Sequence, residues 1–240
     1  MKKKLLSIYI CMLSIFILAA CANKQEVIKE KSNTTPETAS TDEQQTDDDC
    51  KNQGTIFNGL YKPVIYLYPK EETEVSVKLN YSGILTSTYP KYTNGWTVTA
   101  KPDGILYDKN GMQYNYLFWE GVDDTQFNFS TGYCIKGSDT AQFLETELAK
   151  QGLNRKEANE FITFWLPQME QNKYNIISFQ KETYTDNAKL NVNPNPDTII
   201  RVFMAFKSSD KYVSISAPKE TETPQRNGFT LVEWGGSKVK

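Results

Sequence analysis

Two glutamates of this 240-residue chain stand beside tryptophan and close to glycine, and they are its first candidates for acid–base chemistry. Glu120 follows Trp119, and Glu233 precedes Trp234. The chain has no histidine, which excludes Ser-His-Asp catalysis, Cys-His catalysis and histidine-ligated zinc. Two carboxylates about 5 Å or about 6.5 to 9.5 Å apart can hydrolyse a glycosidic bond. Glu120 and Glu233 are therefore candidates for the catalytic pair of a glycan hydrolase.

Arg201 lies in an apolar predicted strand, where a buried guanidinium needs an anionic partner. Either Glu120 or Glu233 is expected to supply it. Trp119 and Trp234 belong to the same group by their positions beside the two carboxylates. Three roles are open for the group: an internal ion pair, a binding surface or a catalytic site. Buried ion pairs form without any reaction chemistry, so we expect the structural role first.

Strand and helix signals predict the elements that position these side chains. Periodicity and capping residues predict one helix over residues 138–150 and a second from a capping box at residues 154–157 to Pro167, which ends or kinks it. Turn residues at 101–104 and 108–111 predict hairpins. This order predicts an α+β domain with a mainly antiparallel sheet and the helical pair packed on one face. The predicted strands cover residues 64–68, 74–79, 96–100, 105–107, 114–119, 175–179, 198–206, 212–215 and 229–234.

The first twenty residues have the layout of a secretory signal. Three lysines at positions 2–4 precede an apolar run at 5–18, which is short for a membrane-spanning helix. The tetrapeptide LAAC at 18–21 resembles the lipobox of bacterial lipoproteins. That resemblance implies cleavage before Cys21, lipidation of its thiol and acylation of the new amino terminus. The expected location is the extracytoplasmic face of the cell membrane, with the lipid bilayer as a partner; an uncleaved anchor helix is the alternative.

Charge separates a tether at 21–49 from the domain predicted at 50–240. The tether carries three lysines against eight acidic residues and almost no large apolar residue, as expected of a flexible acidic spacer. Residues 50–240 hold 21 basic and 21 acidic residues. A neutral domain lacks the basic excess that nucleic-acid binding requires, so no nucleic-acid partner is expected. No residue pattern predicts a cofactor or a metal site.

Two cysteines, Cys50 and Cys134, remain in the predicted domain. Disulfides persist outside the cytoplasm, so this pair is a disulfide candidate. The bond would stabilise the chain by about 4 kcal/mol through loop closure if the two Cβ atoms approach each other.

Four segments together resemble an uncharacterised family of secreted bacterial proteins. They are KPVIYLYP at 62–69, YLFWEG at 116–121, FWLP at 164–167 and VEWGG at 232–236. The resemblance covers about residues 60–236 and implies that the domain is one unit. It implies no activity, and it adds no catalytic residue.

The leading functional hypothesis is a membrane-tethered protein that binds a carbohydrate or a peptide at the cell envelope. The chain has 14 Tyr, 12 Phe and 4 Trp residues, and such rings both pack against ligands and, in Tyr and Trp, form hydrogen bonds. Two alternatives are a glycan hydrolase that uses Glu120 and Glu233, and a structural partner in an envelope complex.

Replacing the proposed lipidation site tests the predicted lipid anchor. Cys21→Ser removes the thiol that would carry the lipid, so we expect the precursor to lose metabolic labelling by a radioactive fatty acid. Cys134→Ser is the matched control and should keep its label. A labelled Cys21→Ser protein would refute the assignment.

Overall fold

A computed structural model describes residues 58–240, which form two β-sheets and a helical layer. The helices are α1 (Thr140–Lys150), α2 (Arg155–Trp165) and α3 (Glu182–Asn187). The strands are β1 (Asn58–Tyr68), β2 (Thr73–Tyr81), β3 (Ile84–Tyr89), β4 (Trp96–Ala100), β5 (Leu106–Tyr107), β6 (Gln113–Tyr114), β7 (Leu117–Asp123), β8 (Tyr133–Lys136), β9 (Tyr174–Gln180), β10 (Ala188–Asn193), β11 (Thr198–Ser209) and β12 (Thr230–Lys238).

Seven strands form the larger sheet in the order β3-β7-β1-β12-β11-β9-β8, and five form the smaller one in the order β10-β2-β4-β5-β6. All paired neighbours are antiparallel except β11 and β12, which run parallel. This confirms the predicted α+β class with a mainly antiparallel sheet. No helix within residues 58–240 has the length and apolar character to cross a bilayer.

The larger sheet is buried on both faces. One face packs on α1 and α2 through side chains that include Val64, Trp234, Leu148 and Phe161. The other face packs on the smaller sheet, with Ile65, Leu67 and Leu231 meeting Val75, Val77 and Trp96. A strand that is covered on both faces needs apolar residues at every position, which explains the unbroken run of buried residues at 63–67.

The predicted capping box sets the start of α2. The side chain of Asn154 accepts a hydrogen bond from the backbone N–H of Glu157, whose carboxylate accepts one from the N–H of Asn154. The α-helix ends at Trp165, and a short 3-10 turn that contains Pro167 follows it, as predicted. The apolar face of α2 thereby lies against the larger sheet.

Several elements differ from the sequence prediction. Residues 212–215 are not a strand, although the neighbouring Ser216 forms an isolated bridge with Thr131. The hairpin at 108–111 joins β5 to β6, and β5 pairs with β4 on its other side. After β6 the chain leaves the smaller sheet and enters the larger one as β7. The prediction missed β3, β8, β10 and α3, which are short or rich in polar residues.

A buried ion pair links the two sheets. The Nε of Arg201 on β11 donates to Oε2 of Glu233 on β12 at 2.6 Å, and its Nη2 donates to the carbonyl of Ala188 on β10 at 2.7 Å. Trp119 on β7 donates from Nε1 to Oε1 of Glu233 at 3.2 Å. Burial by itself would lower the pKa of Arg201, but attraction to Glu233 outweighs it, and that pKa is raised. The expected structural role of Arg201 therefore has its partner in Glu233.

Breaking this pair should be costly, because the remaining charge would stay buried without a partner. We expect Arg201→Ala to lower the free energy of unfolding by about 3 to 5 kcal/mol. The double change Arg201→Met and Glu233→Leu should recover only part of that loss, because it removes both charges but leaves the Trp119 indole and the Ala188 carbonyl without these partners. Urea unfolding of the three proteins measures the difference; a loss below about 1 kcal/mol in Arg201→Ala would contradict the account.

Candidate functional site

The structure places Glu120 and Glu233 on opposite faces of the larger sheet. Successive residues of a strand point to opposite faces, and β7 alternates strictly between buried and half-buried residues. Trp119 points towards the smaller sheet, where it reaches Glu233, so Glu120 points towards the helical side. The two carboxylates do not face each other across a cleft, which glycoside hydrolysis by this pair requires.

The two tryptophans that the sequence offered as site candidates lie in the core. Trp119 and Trp234 have no solvent exposure, so neither forms part of a binding surface. The indole of Trp234 donates to the hydroxyl of Tyr66 at 3.3 Å, and that hydroxyl donates to Oε2 of Glu160 on α2 at 2.7 Å. Burial, followed by the Glu160 carboxylate, raises the pKa of Tyr66. This chain of hydrogen bonds fastens α2 to the sheet and orients Glu160.

Glu120 instead stabilises an irregular point of β1. The pairing register of β1 shifts between Tyr61 and Val64 on one side and between Leu60 and Val64 on the other. Lys62 lies at this bulge with a φ of 59°, and no other non-glycine residue of 58–240 has a positive φ. Its backbone N–H donates to Oε1 of Glu120 at 3.1 Å. Left-handed backbone is costly for a residue with a side chain, and bulges often redirect a side chain near a functional site.

The bulge directs the Lys62 side chain into a group of aromatic rings. Its ammonium donates to the hydroxyl of Tyr116 at 3.0 Å. The nitrogen lies 5.0, 5.7 and 5.9 Å from the ring centres of Tyr116, Phe118 and Phe164. No carboxylate of the described chain lies within 4 Å of this ammonium. Cation–π attraction therefore holds the charge in place and leaves donors available to a ligand.

Two adjoining cavities of about 410 and 360 Å³ open around these residues. They share Lys62, Tyr116 and Phe164. The first is also lined by Glu160 and by exposed polar groups of α2 and of the turn before β7. The second is also lined by Tyr89, Phe118 and Glu120. We call this double cavity the Lys62 cleft; it combines half-exposed rings, two carboxylates and one ammonium.

The sequence prediction named Glu120 as a site residue but not Lys62, Tyr116, Phe118, Glu160 or Phe164. Lys62 opens the apolar segment KPVIYLYP, and a charged residue directly before a proline at the start of a buried strand was the available signal. Phe164 lies beside Trp165 on α2, where apolar periodicity predicts only core packing. Three of the four family-like segments contribute side chains to the cleft. The fourth segment, VEWGG, contributes Trp234, whose indole donates a hydrogen bond to Tyr66, the residue that binds Glu160 of the cleft.

The cysteine predictions stay open. Cys134 on β8 is half-buried, and its Sγ accepts a hydrogen bond from the backbone N–H of Val213 at 3.3 Å. Cys21 and Cys50 lie outside the described residues, as do the predicted signal peptide and the tether. Lipidation and the Cys50–Cys134 disulfide therefore remain predictions.

Comparison with known proteins gives one partial relative. An uncharacterised protein in the bglA 3′ region of Butyrivibrio fibrisolvens is 51% identical over 63 residues, which are 25% of this chain and 65% of that protein. The chain thus spans about two thirds of the length of this relative. No family model matches the chain, and no solved structure is significantly similar to it. What the chain is shown to resemble is therefore one uncharacterised bacterial protein, over a quarter of its own length.

Proposed function

We propose that this protein is a lipid-anchored extracytoplasmic protein whose α+β domain binds a carbohydrate in the Lys62 cleft. One observation carries the proposal: half-exposed aromatic rings surround an ammonium that has no carboxylate within 4 Å among residues 58–240, and two carboxylates line the same cleft. Ligand sites combine apolar walls with a few placed polar groups in this way.

The chemistry of the cleft suits a sugar. The apolar C–H faces of a sugar ring pack on aromatic rings, and its hydroxyls both donate and accept hydrogen bonds. Glu120 and Glu160 each use one carboxylate oxygen within the protein and keep the other without a partner among residues 58–240. Those two carboxylate oxygens accept hydrogen bonds from the hydroxyls of the sugar, and the Lys62 ammonium donates hydrogen bonds to hydroxyl oxygens of the sugar. The two adjoining cavities favour a ligand of two or more connected units.

The fixed geometry of the cleft also supports binding. Lys62 and Tyr116 hold each other by a hydrogen bond, and Tyr66 holds Glu160. Side chains that are already ordered lose less conformational entropy when a ligand arrives, so less of the interaction energy is lost on binding. A loose aromatic surface lacks this advantage.

The N-terminal pattern supports the proposed location. The lipobox-like LAAC directs lipidation to Cys21, and several acyl chains together give stable membrane attachment. The acidic tether at 21–49 then lets the neutral domain reach ligands away from the bilayer surface. We place the protein in the uncharacterised family of secreted bacterial proteins on its four segments.

A glycan and peptide array with the Cys21→Ser chain tests the binding proposal. We expect retention of a defined set of oligosaccharides. Phe164→Ala should weaken that binding about tenfold, because it removes one stacking ring that contributes about 1 to 1.5 kcal/mol. Phe129→Ala is the matched control, since Phe129 is also half-buried and lies 4.7 Å from a lysine ammonium, that of Lys207.

Three results would contradict the proposal. An array that retains only peptides would replace the carbohydrate with a peptide ligand. An array without any retained ligand would reject the binding function. Equal affinity of Phe164→Ala and Phe129→Ala for the retained glycan would move the site away from the Lys62 cleft.

A further inference from the structure

A separate cavity lies under the connection between β11 and β12. These strands are parallel neighbours, so the chain must cross over the sheet between them, and residues 210–229 do so without a helix or a regular strand. An irregular connection of this length in a compact domain often has a binding or lid function. The part that spans the cavity, residues 217–221, is called the strap below.

Hydrogen bonds hold the connection on both sides of the strap. Before it, the carbonyl of Ser216 accepts from the backbone N–H of Gly132 at 2.9 Å. After it, Arg226 donates to the carbonyl of Gly152 at 2.7 Å and pairs with the buried carboxylate of Glu157. Within residues 58–240, no backbone–backbone hydrogen bond joins the strap itself to the rest of the chain. Its backbone groups are therefore available to a ligand beneath it.

The space under the strap is a cavity of about 410 Å³. Its walls come from α1, from the end of β9 and from Tyr133 at the start of β8, and the strap forms its roof. Phe179 and Pro218 give it an apolar portion. A cavity of this size with a mixed lining suits a small molecule that has both polar and apolar parts.

Charges of both signs line this cavity. Glu147 on α1 and Glu220 on the strap are its two carboxylates, and Glu147 is 13% exposed. Burial, followed by the charge of Glu147, raises the pKa of Tyr133 to about 12. Three lysines also line the cavity. Lys150 pairs with Glu147 at 3.8 Å, whereas no carboxylate of the described chain lies within 4 Å of the ammonium of Lys181 or Lys219. The lining thus offers separate acceptors for a cation and donors for an anion.

We propose that this cavity binds a free amino acid, whose two opposite charges match its lining. The ligand carboxylate pairs with Lys181 and Lys219. Its ammonium pairs with Glu220 and with Glu147, which also contacts Lys150. Phe179 and Pro218 pack against its side chain, and the strap backbone supplies further hydrogen bonds. This cavity shares no residue with the Lys62 cleft. The amino-acid proposal can therefore be refuted without affecting the carbohydrate proposal, and the reverse also holds.

Calorimetric titration of the Cys21→Ser chain with the twenty common amino acids tests the proposal. At least one should bind, and its two analogues, one without the ammonium and one without the carboxylate, should each bind at least tenfold more weakly. Glu147→Gln and Lys181→Ala should each weaken binding by a similar factor. Glu170 is exposed and lies outside the cavity. The control variant Glu170→Gln should therefore leave the affinity for the amino acid unchanged.

Tryptic cleavage after Lys219 gives a second readout that does not depend on the variants. Lys219 is exposed on the strap, so trypsin should cut there in the free protein, and the bound amino acid should slow this cut at least severalfold. Cleavage after Lys109, which is exposed in the turn between β5 and β6, is the internal reference. The proposal fails if no amino acid binds, if an analogue with one charge binds equally well, or if the bound ligand leaves strap cleavage unchanged.

Discussion

The buried pair of Arg201 and Glu233 is the constraint on which the arrangement of the two sheets depends. It joins β11 to β12, reaches β10 of the smaller sheet through the Ala188 carbonyl and receives the indole of Trp119 from β7. Two charges at this depth are tolerated because each is bonded by several groups. Both carboxylate oxygens of Glu233 accept hydrogen bonds from core residues, so this carboxylate stabilises the core.

The polar residues of the Lys62 cleft lie on the face of the larger sheet that packs against the helices. β1 is buried on both faces from Pro63 to Leu67, and just before that run the bulge turns the half-buried Lys62 towards the aromatic rings of the cleft. Glu120 bonds the strained backbone there, while Tyr116 and the neighbouring rings hold the ammonium. A core that needs only packing has no reason to keep a lysine in left-handed backbone, because glycine adopts it without that cost. The left-handed backbone at Lys62 therefore supports the proposed role of its side chain in binding.

Local signals in the sequence predicted much of the fold, and the missing parts depend on distant pairing. The Asn154–Glu157 capping box and Pro167 set both ends of α2, because each acts within one helical turn. The apolar alternation of β2 predicted a strand, but alternation does not tell which sheet a strand joins. Likewise, Glu120 and Glu233 resemble each other locally, and only the register of β7, β1 and β12 places them on opposite faces. The Lys62 cleft was missed for the same reason, since tertiary packing alone brings β1, β7 and α2 together.

The most direct test of a functional Lys62 compares glycine with alanine at that position. Lys62→Gly should have a free energy of unfolding about 1 kcal/mol higher than that of Lys62→Ala, because glycine adopts the positive φ without strain, yet neither variant should bind the glycan that the native cleft retains. At Lys207, the second lysine over a phenylalanine ring, φ is not positive, and the order of the two stabilities should reverse. An alanine variant at position 62 as stable as the glycine variant, or native glycan affinity in either one, would contradict the account.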